Sequence, residues 1–152
     1  MNKRLLGDDH PDVARSLNTL ALLYSSQEGY DEAEPLFVQA VELNKHLLGD
    51  DHPFVARGLD SLGNLYCSQR RYEKAEPLFV QALELNKHLL GDDHPDVARS
   101  LNTLGNLYSS QERYDEAEPL FVQALELNKH LLGDDHLDVA ASLNSLGNLY
   151  YS

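Results

Sequence analysis

At 152 residues, 42% of them hydrophobic, the chain suits one ordinary domain and is too apolar for intrinsic disorder. Its formal net charge of −13 repels phosphate backbones and anionic leaflets, which sets nucleic acid and membrane aside as partners. A single cysteine, Cys67, excludes an internal disulfide framework, and no run approaches the ~18 apolar residues of a membrane span, so a soluble, cytoplasmic chain is expected.

The pair Leu5-Leu6 returns as Leu47-Leu48, Leu89-Leu90 and Leu131-Leu132, each time 42 residues later. These marks delimit three complete units, 5–46, 47–88 and 89–130, and a partial fourth, 131–152, within a single array over 1–152. Units one and three differ only at Ala21/Gly105, Leu22/Asn106, Gly29/Arg113 and Val41/Leu125. Copies so alike must share one local structure.

Each unit opens on punctuation, as in Gly91-Asp92-Asp93-His94-Pro95. Glycine suits the left-handed residue after a helix, the aspartates favour the next helix N-terminus, and Pro95 is tolerated in a first turn. A first helix is predicted from about Pro95 to Ser110, with Val97, Leu101, Leu104 and Tyr108 recurring at three- and four-residue spacings on one buried face. Gln111-Glu112-Arg113 then forms a short turn, and a second helix runs roughly from Tyr114 to Leu132, with Ala117, Phe121, Ala124, Leu125 and Leu132 available for burial. Gly105 falls mid-helix, as do Gly63 and Gly147, with Ala21 in the same slot of unit one; close approach of two helices is the expected reason. Pro35, Pro77 and Pro119 cannot donate a backbone hydrogen bond, which predicts a slight kink or a late start to each second helix.

The pattern Leu101-x-x-Leu104-Gly105-x-x-Tyr108, followed by Tyr114, Ala117, Phe121 and Ala124, resembles the tetratricopeptide repeat. The longer unit, with His-Pro-Asp-Val-Ala, Leu-Asn-x-Leu, Glu-Ala-Glu-Pro-Leu and Ala-Leu-Glu-Leu, is similar to the long repeats of kinesin light chains and their bacterial relatives. Leu101 stands where the general motif prefers tryptophan, and Lys129 where it often has proline. No coiled-coil segment of the kind that joins a light chain to its motor is present, so motor association does not carry over. The resemblance implies an all-α fold, a right-handed α-solenoid of antiparallel helix pairs with about seven helices. It also implies a protein-interaction scaffold whose first helices line a concave groove.

First-helix residues that point away from the buried face are then the candidate peptide-binding groove. They are Arg15, Asn18 and Leu22 in unit one, Arg57, Asp60 and Asn64 in unit two, Arg99, Asn102 and Asn106 in unit three, and Asn144 and Asn148 in the last helix. Asparagine is a mediocre helix former, and its carboxamide both donates and accepts, so a ladder of them suits the backbone of an extended peptide. The resemblance adds Arg15, Arg57 and Arg99 as clamps for a carboxylate. Leu22 breaks the asparagine row and Asp60 adds a negative charge, which favours a mixed peptide over a purely acidic one.

Chemistry finds little foothold. The Asp-Asp-His trios at 8–10, 50–52, 92–94 and 134–136 offer metal-ligand types without the spacing of a zinc site or the oxygen count of a calcium loop, and helix capping accounts for the aspartates. Glu32/Glu34 and Glu116/Glu118 read as solvated helix-start charges. No nucleophile has a histidine and carboxylate at recognisable spacing, and no phosphate-cradling loop is present. No metal, no cofactor and no enzyme activity are expected. Cys67 faces the groove where units one and three carry serine.

The last helix, about 137–152, repeats the buried pattern Val139, Leu143, Leu146 and Tyr150 with no second helix after it, and Met1–Leu6 reads as the tail of a preceding helix. An apolar face there would invite association, so homo-oligomerisation through the terminal helix is the alternative function. Phe54 replaces the aspartate found at 12, 96 and 138, and Leu137 the proline found at 11, 53 and 95; either adds to an apolar patch.

Overall fold

The computed structural model describes residues 11–132 and 137–150. Among them lie seven helices and no strand: α1 (Pro11–Ser26), α2 (Tyr30–Leu48), α3 (Pro53–Ser68), α4 (Tyr72–Leu90), α5 (Pro95–Ser110), α6 (Tyr114–Leu132) and α7 (Leu137–Tyr150). Both helices of unit three have the bounds that periodicity and punctuation predict. The chain divides into two compact bodies, residues 1–85 and 86–152.

In the first body α1 packs on α2 and α2 on α3. Val41, Val55, Leu59 and Ala82 form a shared core, flanked by Leu78 and Leu85. In the second body α5 packs on α6 and α6 on α7. Ala117, Phe121, Leu125, Leu146 and Leu149 come together there, with Tyr108 and Tyr114 against them. The aromatic of each second helix, Phe37, Phe79 and Phe121, is among the most deeply buried side chains.

The small residues of the first helices make room for those rings. A Cβ on Gly63 would stand 2.6 Å from Cε1 of Phe79, and one on Gly105 would stand 2.8 Å from Cε1 of Phe121. Close approach is therefore the reason for the mid-helix glycines. Gly147 differs, since a Cβ there meets nothing within 4 Å.

Histidine, not aspartate, caps α3 and α5. Nδ1 of His52 accepts from the backbone N–H of Phe54 at 3.1 Å, and Nδ1 of His94 accepts from that of Asp96 at 3.0 Å. The residue directly before the proline is the one whose side chain can reach back to the first turn, whereas Asp50, Asp51, Asp92 and Asp93 remain exposed outside it. The expected left-handed glycines follow the second helices, Gly49 at φ 91° and Gly91 at φ 85°. Non-glycine residues do the same work after the first helices: Glu28, Arg70 and Glu112 have φ near 60°. Around Glu112 the N–H of Arg113 donates to the Tyr108 carbonyl at 2.8 Å and the N–H of Glu112 to that of Ser109 at 3.0 Å, the paired bonds that close a helix C-terminus.

The prolines do not delay the second helices, which begin at Tyr30, Tyr72 and Tyr114, ahead of Pro35, Pro77 and Pro119. Each proline falls early enough for a single donor to be lost while the following turns hold. The last helix also departs from expectation. Among the described side chains of this helix Leu146 and Leu149 are buried, while Leu143 is 51% exposed. Leu146 and Leu149 meet Phe121 and Leu125 of α6, and Leu143 lies off that contact. The side chains of Val139 and Tyr150, together with Met1–Leu6, lie outside the described residues. No described helix is long and apolar enough to cross a membrane.

Candidate functional site

Three helices of the first body meet around one pocket of about 80 Å³. Ala14, Arg15 and Asn18 come from α1, Ala40 and Asn44 from α2, and Phe54, Arg57 and Gly58 from α3. Three of the predicted groove residues, Arg15, Asn18 and Arg57, are thereby brought together. The i, i+3 spacing of Arg15 and Asn18, and the i, i+3 and i, i+4 spacings of Phe54, Arg57 and Gly58, put each set on one helix face.

The rest of the predicted set is more dispersed. Leu22 and Asn64 are exposed and Asp60 is half-buried, and none of the three lines the pocket. In the second body Arg99, Asn106, Asn144 and Asn148 are exposed, while Asn102 is half-buried with its Oδ1 buried and accepting no hydrogen bond. A wide hollow in that body is lined instead by residues such as Lys87, Asp92, Asp93, Glu126 and His130, none from the predicted set. Cys67 is half-buried, and burial pushes its thiol up from the ordinary range, which leaves less thiolate at neutral pH.

Comparing the copies shows what is unusual about the pocket. Where α5 carries Ser100, α3 carries Gly58, and where α5 carries Asp96, α3 carries Phe54. The Oγ of Ser100 accepts from Nδ2 of buried Asn86 at 3.0 Å. Asn44 is the counterpart of Asn86, and with glycine at 58 its Oδ1 is buried without a hydrogen-bond partner. Asp96 pairs with Arg99 at 3.2 Å, and Asp12 stands 3.6 Å from Arg15. Arg57 has no such carboxylate one turn before it; its guanidinium lies 5.6 Å from the centre of the Phe54 ring. Asn44 and Gly58 were not among the predicted residues. The signal for them was present in the departures of unit two from its neighbours at 54 and 58.

The acidic residues at the second-helix starts are not uniformly solvated. Glu34 of α2 accepts from the hydroxyl of Tyr66 and from Nη1 of Arg71, both at 3.1 Å, and so ties α2 to the end of α3. Burial, and then this hydrogen bond, push the Tyr66 hydroxyl up from its usual range. Glu116 is held locally: a two-pronged bond from Arg113 at 2.8 and 2.6 Å keeps its carboxyl below the usual range. Among the described residues no group of three or more histidine, cysteine or carboxylate side chains is placed to hold a metal ion. The trios at 8–10 and 134–136 lie outside the described residues.

The tetratricopeptide repeat model matches residues 1–46, 27–87, 54–130 and 108–152, which together span the whole chain. The chain belongs to the tetratricopeptide repeat family. Among solved structures, it is similar to BtubC (BKLC) from P. vanneervenii, with a TM-score of 0.84 and 26% identity over 93% of this chain and 57% of that one. It is also similar to a kinesin light chain from Podosopora anserina with nearly identical TPR-like repeats, with a TM-score of 0.81 and 26% identity over 93% of this chain and 67% of that one. The first TPR domain of Spaghetti (RPAP3), solved with the HSP90 peptide SRMEEVD, shares the fold at a TM-score of 0.65 and 16% identity, covering 94% of this chain and 97% of that one. This tetratricopeptide chain thus spans a little over half the length of BtubC, at 57%. No curated protein matches it in sequence. Its architecture is the all-α one of this family, its repeats are of the kinesin light chain kind, and the fold is that of a protein-interaction scaffold.

Proposed function

We propose that this chain binds an extended peptide or protein segment, in the cytoplasm and without catalysis, on the exposed faces of its first helices. The observation that carries the reading is the pocket where Arg15, Asn18 and Arg57 converge. A concave site with a few convergent polar groups is where a ligand gains most, because water leaves both surfaces while the polar groups fix orientation. Exposed carboxamides offer the same chemistry on the first helices of each body, Asn64 in the first and Asn106, Asn144 and Asn148 in the second. The peptide held by Spaghetti, a protein of the same fold, supports a peptide as the class of ligand. The test is to pan displayed random dodecapeptides on the chain and measure the enriched ones by fluorescence anisotropy. Arg57→Ala and Asn106→Ala are expected to weaken binding, and binding indifferent to both substitutions would count against the reading.

A second reading rests on Leu143, whose 51% exposure places an apolar side chain in solvent on α7. Two copies would associate through that helix. Light scattering across a concentration series tests it: a mass that grows with concentration, and returns to the monomer with Leu143→Glu, is the expected result.

A further inference from the structure

Around the pocket between α1, α2 and α3, unit two lacks two groups that unit three carries, the serine at 100 and the aspartate at 96, and each loss leaves a particular chemistry unanswered. Gly58 leaves Asn44 without the hydroxyl that accepts from Nδ2 of Asn86 in the later copy, and the Oδ1 of Asn44 is itself buried with no donor to meet it. Phe54 leaves Arg57 without the carboxylate that Asp96 supplies to Arg99. Residues 54 and 58 are one helical turn apart on α3 and line the same pocket. We propose that the missing groups come from the ligand: the pocket takes a serine or threonine side chain whose neighbour in the peptide is an aspartate or glutamate. This rests on the peptide-binding function proposed above and names its anchor.

The pocket, about 80 Å³ and open to solvent on one side, admits a small side chain. Threonine has three side-chain heavy atoms. Its methyl group would meet the apolar walls of Ala14 and Ala40 while its hydroxyl faced Asn44. A hydroxyl both donates and accepts, so it answers whichever end of the Asn44 carboxamide it meets. A valine of the same shape fills the space and leaves the carboxamide unpaired, the situation in which a site rejects an analogue that lacks a polar group. At the rim, Arg57 over Phe54 offers the positive charge a neighbouring carboxylate needs. The net charge of −13 opposes an acidic ligand only at long range, and at physiological salt the contact charges act within a screening length of about 8 Å.

The chain supplies its own closing variant. A Cβ at position 58 would stand 2.8 Å from Cγ2 of Val41, so serine there requires a different neighbour. The later copies pair leucine at 83 and 125 with serine at 100 and 142, so Val41→Leu with Gly58→Ser restores a combination this sequence already uses.

The experiment pans displayed random dodecapeptides on the unaltered chain and measures the enriched peptides by anisotropy against three proteins: the chain, the Val41→Leu/Gly58→Ser variant, and Asn44→Ala. The expected result is a shared Ser/Thr beside Asp/Glu, with Thr→Val in the peptide weakening binding about tenfold. The double variant should weaken the threonine peptide by at least as much, and Asn44→Ala should bring the threonine and valine peptides to equal affinity. A circular-dichroism melt no lower than that of the unaltered chain shows that the double variant is folded; if it is not, Asn44→Ala decides. Enriched peptides that bind but ignore Thr→Val, the double variant and Asn44→Ala overturn the anchor and leave peptide binding standing. Enrichment of an aromatic or basic residue at that place overturns the occupant. No enriched peptide at all overturns both the anchor and the function on which it rests.

Discussion

Gly63 lies against the ring of Phe79 so closely that a Cβ would sit 2.6 Å from Cε1 and 2.9 Å from Cζ. Two effects of opposite sign then compete in Gly63→Ala. Helix propensity favours alanine by about 1 kcal/mol, whereas overpacking a buried contact costs roughly 1–3 kcal/mol. Unit one carries Ala21 at this place, fully buried, so a shift of the ring relieves part of the clash. A net loss of about 1 kcal/mol is expected for Gly63→Ala in urea unfolding. Gly147→Ala meets nothing within 4 Å, so only the propensity acts and a gain of up to about 1 kcal/mol is expected. The same sign for both substitutions would contradict the packing argument.

Glu112 holds φ at 60°, a conformation in which an L side chain crowds its own carbonyl at a cost of about 1 kcal/mol or more. Glu112→Gly removes that crowding and keeps the two backbone bonds that close the helix, while adding entropy to the unfolded chain. The balance predicts a melting temperature raised by a few degrees, or about 0.5–1 kcal/mol. A lower melting temperature would mean that the left-handed turn carries little strain.

Glu34 accepts from both Tyr66 and Arg71, which joins α2 to the end of α3. The Arg71–Glu34 pair is about one third exposed on each side, so solvent screens it and a modest effect is expected. Glu34→Gln should cost about 1 kcal/mol, and Tyr66→Phe in that background should cost less than Tyr66→Phe alone, because the two residues share one hydrogen bond. Additive losses in the double-mutant cycle would show them to be independent.

Burial raises the Cys67 thiol, so folding disfavours its thiolate. At about pH 8 the folded chain should react with a thiol reagent severalfold more slowly than the same chain in urea, with the difference narrowing as pH rises through the folded value. The stabilisation linked to the neutral thiol is fully present below the unfolded value, about 8.5, and is lost as pH rises through the higher folded one. Equal rates in folded and unfolded chains near neutrality would refute the shift.

Much of the fold could be read from the chain because the repeat compares itself. Pro95 to Ser110 and Tyr114 to Leu132 emerge from local rules: proline at a first turn, a four-residue apolar rhythm, and glycine at a left-handed end. Those rules act within one turn of helix, where covalent geometry and propensity dominate. The histidine caps were not legible in the same way, because aspartate is the commoner cap and three acceptors stand side by side. Only the backbone path into Pro53 and Pro95 decides which one reaches the free N–H.

The candidate site divides the same way. Sequence by itself determined which first-helix residues could be turned outward, and Arg15, Asn18 and Arg57 do converge. It equally contained the departures at 54 and 58, but gave them no meaning without knowledge of what each residue faces. Tertiary structure decided that Asn44, fourteen residues from Gly58, stands across from it with a buried oxygen unmet. It decided likewise that Leu143 would be exposed while Leu149, predicted on no face, would be buried against α6. The physical reason is common to both: periodicity specifies the face of a helix, whereas burial and hydrogen-bond partnership depend on the neighbouring helix that covers it.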